Sequence, residues 1–402
     1  MSGNPPTKRA KQTTLSFSNK ESLLNFDENE QYIVGTHKDC VPNEKIAAFD
    51  MDGTLISVKS GKAFPKDHTD WQLIPNVKEK LKNFQCKGYK IVVVSNQRGI
   101  KRVGVDNFKL KLSSIAKALD IPLQFYISIS DDEFRKPRTG IWRKLIPIYN
   151  DKIVPKIENS FYVGDAAGRI KGYNGKPDFS CCDAMFAKNL KLEFHTPEEI
   201  FNDSPPPKSS EIRPLLIDLD SIPRALSDEG KSVFDFKPPK ILEVLLMFGY
   251  PGSGKSFFSA EFVKRNPNYH IVSRDDLKTQ SSLVKSIDSY LNDEKSIIID
   301  NTNIDTDSRN KLISIVKKNK NGVDAFIRCI IMDTNFDICR HNAKYREIYK
   351  NASGIAPVVF NTMKKKFSQP KEEEKIDKIM FFPFYVDPEH VEERYFEYLL
   401  EN

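Results

Sequence analysis

Short apolar runs that stop abruptly in polar groups alternate along the chain with stretches of helical period. Ile46-Ala47-Ala48-Phe49 stops at Asp50-Met51-Asp52-Gly53-Thr54. A run of this length bounded by turn chemistry reads as a buried strand. The pattern repeats at Ile91-Val92-Val93-Val94 before Ser95-Asn96-Gln97-Arg98, at Leu123 to Ile129 before Ser130-Asp131-Asp132, and at Phe161-Tyr162-Val163 before Gly164-Asp165. Between these runs, Val77 to Cys86 predicts a helix stopped by Gly88, and Phe108 to Leu119 predicts a second. A second series opens at Leu242 to Phe248, which leads directly into Gly249-Tyr250-Pro251-Gly252-Ser253-Gly254-Lys255-Ser256 and a helix over Phe257 to Val263. His270 to Ser273, Ser296 to Asp300 and Ala325 to Met332 read as its further strands, and Cys339 to Arg346 as helix. Alternation of strand and helix predicts α/β architecture with mostly parallel sheets, in two domains.

Polar stretches set the expected boundaries. Residues 1–40 lack an amphipathic period and read as a disordered basic tail. The first domain is expected over 41–205, a proline- and lysine-rich linker with some order near Leu215 to Leu219 over 206–240, and the second domain over 241–402. A length of 402 residues suffices for two cores. No apolar stretch approaches the ~20 residues of a membrane span, and no signal peptide opens the chain. The six cysteines form no Cys-x-x-Cys pair, which argues for reduced thiols in an intracellular protein. A net charge of +7 suits a polyanionic partner without requiring one. Lys8-Arg9-Ala10-Lys11 reads as a nuclear localisation signal, a nucleic-acid contact or a solvated basic run, and the nucleus is the expected location.

The strand ends carry the chemistry. Ligands in an open α/β sheet bind beyond the carboxyl ends of the strands. Asp50 and Asp52 stand two residues apart across a tight turn, where one acid can attack phosphorus and the other move a proton. Ser95 and Asn96 offer hydrogen bonds to phosphate oxygens, and Arg98 a further charge. Lys136 precedes a proline, which restricts its backbone and suits a fixed positive charge. Asp165 completes a set of carboxylates for a divalent cation. In the second domain, G-x-x-x-x-G-K-S lies between strand and helix, the context a phosphate-cradling loop requires. Its glycines let backbone N–H groups surround a phosphate, Lys255 reaches the β/γ oxygens of ATP, and Ser256 ligates Mg²⁺. Asp275 at a strand end is a candidate base for an attacking hydroxyl, and Asp300 a candidate for ordering Mg²⁺ through water. Arg340, Lys344 and Arg346 read either as a lid over a triphosphate or as a solvated basic face.

Asp50-Met51-Asp52-Gly53-Thr54, Ser95, Lys136 and Gly164-Asp165 resemble the four motifs of the haloacid-dehalogenase phosphatase superfamily, in order. One departure is Ala166-Ala167, where many members carry further acids. Cation binding then leans on Asp50, Asp165 and the carbonyl of Asp52, with Asp178 and Asp183 as unplaced outer acids. Across residues 41 to 402 the order of motifs is similar to the eukaryotic bifunctional polynucleotide kinase 3′-phosphatase family, in a short form without the forkhead-associated domain of animal members. Lys136-Pro137-Arg138-Thr139-Gly140, the run from Tyr162 to Arg169, Arg274-Asp275, Asp300-Asn301-Thr302-Asn303 and Arg340-His341-Asn342 carry that likeness.

The resemblance implies a monomeric DNA-repair enzyme that removes a 3′-phosphate and phosphorylates a 5′-hydroxyl at broken DNA ends, using ATP and Mg²⁺, beside other repair proteins. Asp50, Asp52 and Asp275 are the implied catalytic residues. Ser95, Asn96 and Lys136 are expected to hold the phosphate to be removed, and Gly249, Gly252, Ser253, Gly254, Lys255, Ser256 and Arg340 the nucleotide. Asp50, Asp52, Asp165 and Ser256 are expected at metal, and Arg98, Arg138, Arg169, Asp300, Asn301 and Arg346 against the polynucleotide. An RNA-end healing enzyme, a catalytically dead DNA-end scaffold and a metabolite kinase–phosphatase are the alternatives.

Overall fold

The computed structural model describes residues 22–100, 104–172 and 175–401. Lys8 to Lys11 lie outside the described residues. The first sheet contains β1 (Leu24–Glu28), β2 (Tyr32–His37), β3 (Ile46–Phe49), β6 (Lys90–Asn96), β7 (Leu123–Ser128), β8 (Phe161–Val163) and β9 (Glu193–His195); a small hairpin, β4 (Ile56–Ser57) with β5 (Gln72–Leu73), stands apart. Its order is β1-β2-β7-β6-β3-β8-β9. The five strands from β7 to β9 are parallel, and β2 and β1 extend the edge antiparallel. Parallel strands are covered on both faces, which is why they read as unbroken apolar runs. Ala47, Phe49, Ile91 and Val93 face one core with Leu81 of α1 (Val77–Cys86) and Leu112 and Ile115 of α2 (Val105–Leu119). Ile46, Ala48, Val92 and Val94 face another with Trp142 and with Phe186 of α3 (Cys182–Leu190). Each such large apolar side chain contributes about 1.5–3 kcal/mol on burial.

The second sheet is wholly parallel, in the order β11-β12-β10-β13-β14, with β10 (Glu243–Phe248) at its centre. Its other strands are β11 (Tyr269–Ser273), β12 (Ser296–Asp300), β13 (Phe326–Asp333) and β14 (Lys378–Pro383). The phosphate-loop motif joins β10 to α4 (Lys255–Arg265), β11 leads into the single turn α5 (Arg274–Leu277), and β13 into α6 (Phe336–Tyr349). Both sheets place their polar run-ends at the carboxyl edge.

One expectation needs correction. The disordered tail does not extend to residue 40, because β1 and β2 form a hairpin whose Leu24, Ile33 and Val34 are buried. Their polar neighbours Asn25, Asp27 and Asn29 mask the strand signal; Asn29 is in fact the turn, its Oδ1 accepting from the backbone N–H of Gln31 and Tyr32. The order expected in the linker near Leu215 to Leu219 is present, and it extends to either side. The backbone N–H of Ile170 donates to the Glu211 carbonyl and that of Arg213 to the Gly168 carbonyl, tying its first part to the first domain. Ile217, Leu219 and Ile222 are buried against Tyr345, Val386 and Tyr395. Ser227 caps the helix Asp228–Phe234, whose Phe234 stacks on Phe258.

Candidate active sites

Asp50 directly follows β3, and its backbone N–H donates to the carbonyl of Val163 on β8. The chain turns at Gly53, where φ is +81° and a Cβ would lie 2.4 Å from Asp165 Oδ2. Only glycine permits both the left-handed turn and that approach. Thr54 is buried beneath the turn; its Oγ1 accepts from the Asp165 N–H at 3.1 Å and lies 3.4 Å from Asp165 Oδ1.

Lys136 is the centre of the first site. Its ammonium, 1% exposed, donates to Asp50 Oδ1 at 2.6 Å, Asp183 Oδ1 at 2.7 Å and the Tyr162 hydroxyl at 2.7 Å. Burial opposes its charge, yet Asp183 and Asp50 hold its pKa well above the ordinary lysine value. Burial pushes Asp50 up to about 7; Lys136 pulls it down, while Asp183 and Asp52 raise it. Desolvation and the charges of Asp50 and Asp183 raise Asp165 as well. Oxygens of Asp50, Asp165 and Asp183 lie within 4.8 Å of one another. Asp183 Oδ2 accepts from the Ala166 N–H at 3.1 Å, so this acid reaches the cluster from a helix farther along the chain.

Asp52 stands at the mouth with its side chain half exposed; Lys111 of α2 reaches its Oδ1 at 3.1 Å and Gln97 donates to its Oδ2. Gln97 also donates to Ser95 Oγ at 3.1 Å, bringing the hydroxyl and the outer acid together. Neither Gln97 nor Lys111 carried a signal in the sequence, since each acts through a neighbour.

Three residues expected to touch substrate have other partners. The Asn96 side chain accepts from the Lys136 N–H at 2.9 Å and donates to the Lys136 carbonyl at 3.0 Å, clamping that backbone instead of facing phosphate. Arg138 is 1% exposed and pairs with Asp131 at 2.6 Å. Arg169 is held by Asp178 and Glu198 at 2.9 and 2.7 Å and donates to the Asp165 carbonyl, so it buttresses the acid. Arg98 remains largely exposed, 3.6 Å from Asp131.

At the second site, Gly252 has φ +81°, and a Cβ there would lie 2.3 Å from the Cys339 carbonyl of α6. Asn342 of the same helix donates to the Gly252 carbonyl at 2.8 Å, fixing the loop. Ser253 is buried beneath it, and Gly254 is left-handed. Lys255 Nζ donates to the carbonyls of Gly249 and Tyr250 at 3.0 and 2.8 Å. Burial lowers its pKa to about 8, with Asp300 and Asp275 raising it and Arg346 lowering it, so these four side chains share one field. Asp300 sits beside the Ser256 hydroxyl; burial raises its pKa against that hydrogen bond and the charge of Lys255. Asp275 is exposed on α5. Asn301 lines a groove of about 770 Å³ with Arg274, Gln280, Asn310, Lys311 and Lys318. Arg340 is paired with Asp337 at 2.9 Å. Lys344 pairs with Glu347 of its own helix at 2.9 Å and lies 3.4 Å from Asp131 of the first domain.

Carboxylates around a buried lysine at the end of one parallel sheet, and a lysine-bearing glycine loop at the end of another, define a haloacid-dehalogenase-type phosphatase joined to a P-loop kinase. Residues 45–201 match the family described as polynucleotide kinase 3 phosphatase, and residues 243–392 that described as chromatin associated protein KTI12. A bifunctional polynucleotide phosphatase/kinase of Schizosaccharomyces pombe is 36% identical over 348 residues, covering 85% of this chain and 80% of that protein. A protein of Acanthamoeba polyphaga mimivirus is 32% identical over 411 residues, 93% of this chain and 94% of its own. A polynucleotide 3′-phosphatase of Arabidopsis thaliana is 37% identical over 176 residues, 40% of this chain and 24% of its own. The chain belongs to the bifunctional polynucleotide phosphatase/kinase family.

Proposed function

We propose that this chain prepares broken DNA ends for sealing, releasing a 3′-phosphate at the first site and moving the γ-phosphate of ATP to a 5′-hydroxyl at the second. The observation that carries the first half is the bond of Lys136 to both Asp50 and Asp183, which holds a positive charge beside the carboxylate read as the nucleophile. In that reaction an Asp50 oxygen attacks the 3′-phosphate and forms an aspartyl-phosphate. Asp52, poised at the mouth by Gln97 and Lys111, protonates the departing 3′ oxygen and then takes a proton from the water that hydrolyses the acyl phosphate. Lys136 and the Ser95 hydroxyl carry the phosphate's developing charge.

Oxygen donors this close fit Mg²⁺, and Asp50, Asp165 and the Asp52 carbonyl would hold it, Asp183 being engaged by Lys136 and Ala166. When bound, the ion neutralises phosphate charge that would otherwise repel the nucleophile. Two exposed aromatics of the first domain suit a polynucleotide substrate. Phe64 is 82% exposed between Lys62 and Lys66 on the loop joining β4 to β5, and Phe179 fully exposed on the loop before α3. Such rings stack on unpaired bases.

At the second site Asp275 takes the proton of the 5′-hydroxyl, Lys255 and Arg340 bind the β/γ-phosphates, and Ser256 with Asp300 would hold Mg²⁺. The groove beside Asn301 and Lys311 suits the strand that brings the hydroxyl. The DNA assignment follows the likeness of the motif set to the repair family. A nicked duplex with 3′-phosphate and 5′-hydroxyl, given ATP and Mg²⁺, tests all of this: both termini should convert. Unchanged termini would refute the reading, and faster conversion of matched RNA ends would redirect it to RNA.

A further inference from the structure

The last residues of the second domain fold back across the first. They reach the loop that carries Lys136. Glu397, 5% exposed, accepts from the Thr139 hydroxyl at 2.8 Å and pairs with Arg143 at 3.0 Å. A carboxylate buried this far is stable only with such partners, so the pairing fixes where the segment lies. Glu401 accepts from both Arg135 Nε and, at 2.9 Å, Arg135 Nη2, a two-pronged contact one residue before Lys136. Arg394 lies 3.4 Å from Glu133.

Asn189 of α3 makes the most direct link. Its Oδ1 accepts from the backbone N–H of Tyr398 at 2.7 Å. Its Nδ2 donates to the Tyr398 carbonyl at 2.9 Å and to the Pro137 carbonyl at 2.8 Å. One amide thus ties the C-terminal main chain to the residue following Lys136. The same segment continues into the second site: the Tyr395 hydroxyl donates to Asn342 Oδ1, and Asn342 holds the Gly252 carbonyl.

We propose that residues 393–401 are a positioning brace for the Lys136 loop, so that 3′-phosphate release in this chain depends on the end of its kinase half. The brace rests on the phosphatase reading above, because it acts only through Lys136. Glu397, Glu401 and Asn189 are positioning residues; none reaches a reacting atom. Displacing a catalytic ammonium by about 1 Å suffices for a loss on the order of tenfold to a hundredfold in turnover. A displaced Lys136 still contributes charge for substrate capture, so the loss falls on kcat.

The test uses the full-length chain with E397A and E401A together, read on a 3′-phosphorylated oligonucleotide and, separately, on a 5′-hydroxyl oligonucleotide with ATP. The phosphatase kcat should fall about tenfold or more with KM within about twofold, and the kinase rate should stay within about twofold. E397Q, which keeps an acceptor for Thr139, should recover most of the loss. Unchanged phosphatase kcat would overturn the brace, and so would a parallel fall of both activities with the melting temperature, which marks a general fold prop. Should the double variant not fold, N189A cuts the Pro137 tie alone and is read in the same way. Wild-type and K136A arms separate the two claims: a wild type that releases no 3′-phosphate fails the phosphatase reading, whereas an active wild type with unaffected brace variants fails the brace only.

Discussion

In the first domain Lys136 is closed in by two carboxylates and a phenol; in the second, Lys255 leans on two main-chain carbonyls with Asp275 open to solvent. One lysine's charge is held up by anions, and the other's is depressed by burial to about 8. The first site is therefore held together by its own ion pairs. The second relies on backbone geometry, with Gly252 pressed against α6, and its lysine bonds to main-chain carbonyls while Asp300 and Asp275 act on it only through their charge. A preorganised hydrolytic centre and a cradle for a polyanion are two solutions to stabilising phosphoryl transfer.

The widest separation should come from removing one nucleophile or one cradle. D50N should reduce 3′-phosphate release by about 10⁴-fold or more while leaving 5′ phosphorylation intact, and K255A should do the reverse. End-labelled oligonucleotides read both, and loss of both activities in either folded variant would break the two-site picture. Next comes stability. K136M strips Asp50 and Asp183 of their buried counter-ion and should cost about 3–5 kcal/mol in denaturant unfolding. K255M removes a buried ammonium with no carboxylate bonded to it and should stay within about 1 kcal/mol of wild type. Equal costs would remove the contrast.

A smaller effect is expected at the turn. G53A places a methyl against Asp165 at a left-handed φ and should lower phosphatase turnover about 10²-fold with the kinase untouched. The smallest concerns His341, buried on α6 with its Nε2 2.8 Å from the Tyr395 carbonyl, whose pKa is lowered by burial to about 4. Because the folded value lies below the ordinary 6.5, the group's contribution is complete above about pH 6.5 and is lost as pH falls toward 4. By about pH 5 the loss should be about 2 kcal/mol, and H341Q should flatten that limb of a melting-temperature profile.

Much of this was legible in the sequence because strand ends are local features: an apolar run followed by Asp50, Ser95 or Asp165 announces both the strand and the chemistry. Lys255 was legible for the same reason. Asp183 was legible only as an unplaced outer acid, since it reaches the cluster from α3, eighteen residues past Asp165, and nothing nearby marks its direction. Arg138 and Arg169 read as substrate contacts because a basic residue beside a motif has no visible partner in one dimension. Asp131, Asp178 and Glu198 supply those partners only after folding. The β1–β2 hairpin was missed because the edge strand β1 is largely exposed and reads as polar coil, although β2 behind it is mostly buried.

That hairpin has a practical meaning. β2 pairs with β7 along five residues, and without it β7 would end the sheet with a bare row of amide and carbonyl groups over a strongly apolar strand. Such borders recruit further strands from other molecules. A version of this chain begun at residue 41, where the motifs start, would keep every catalytic group and still be prone to self-association, whereas one begun before Ser22 would carry its own edge protection.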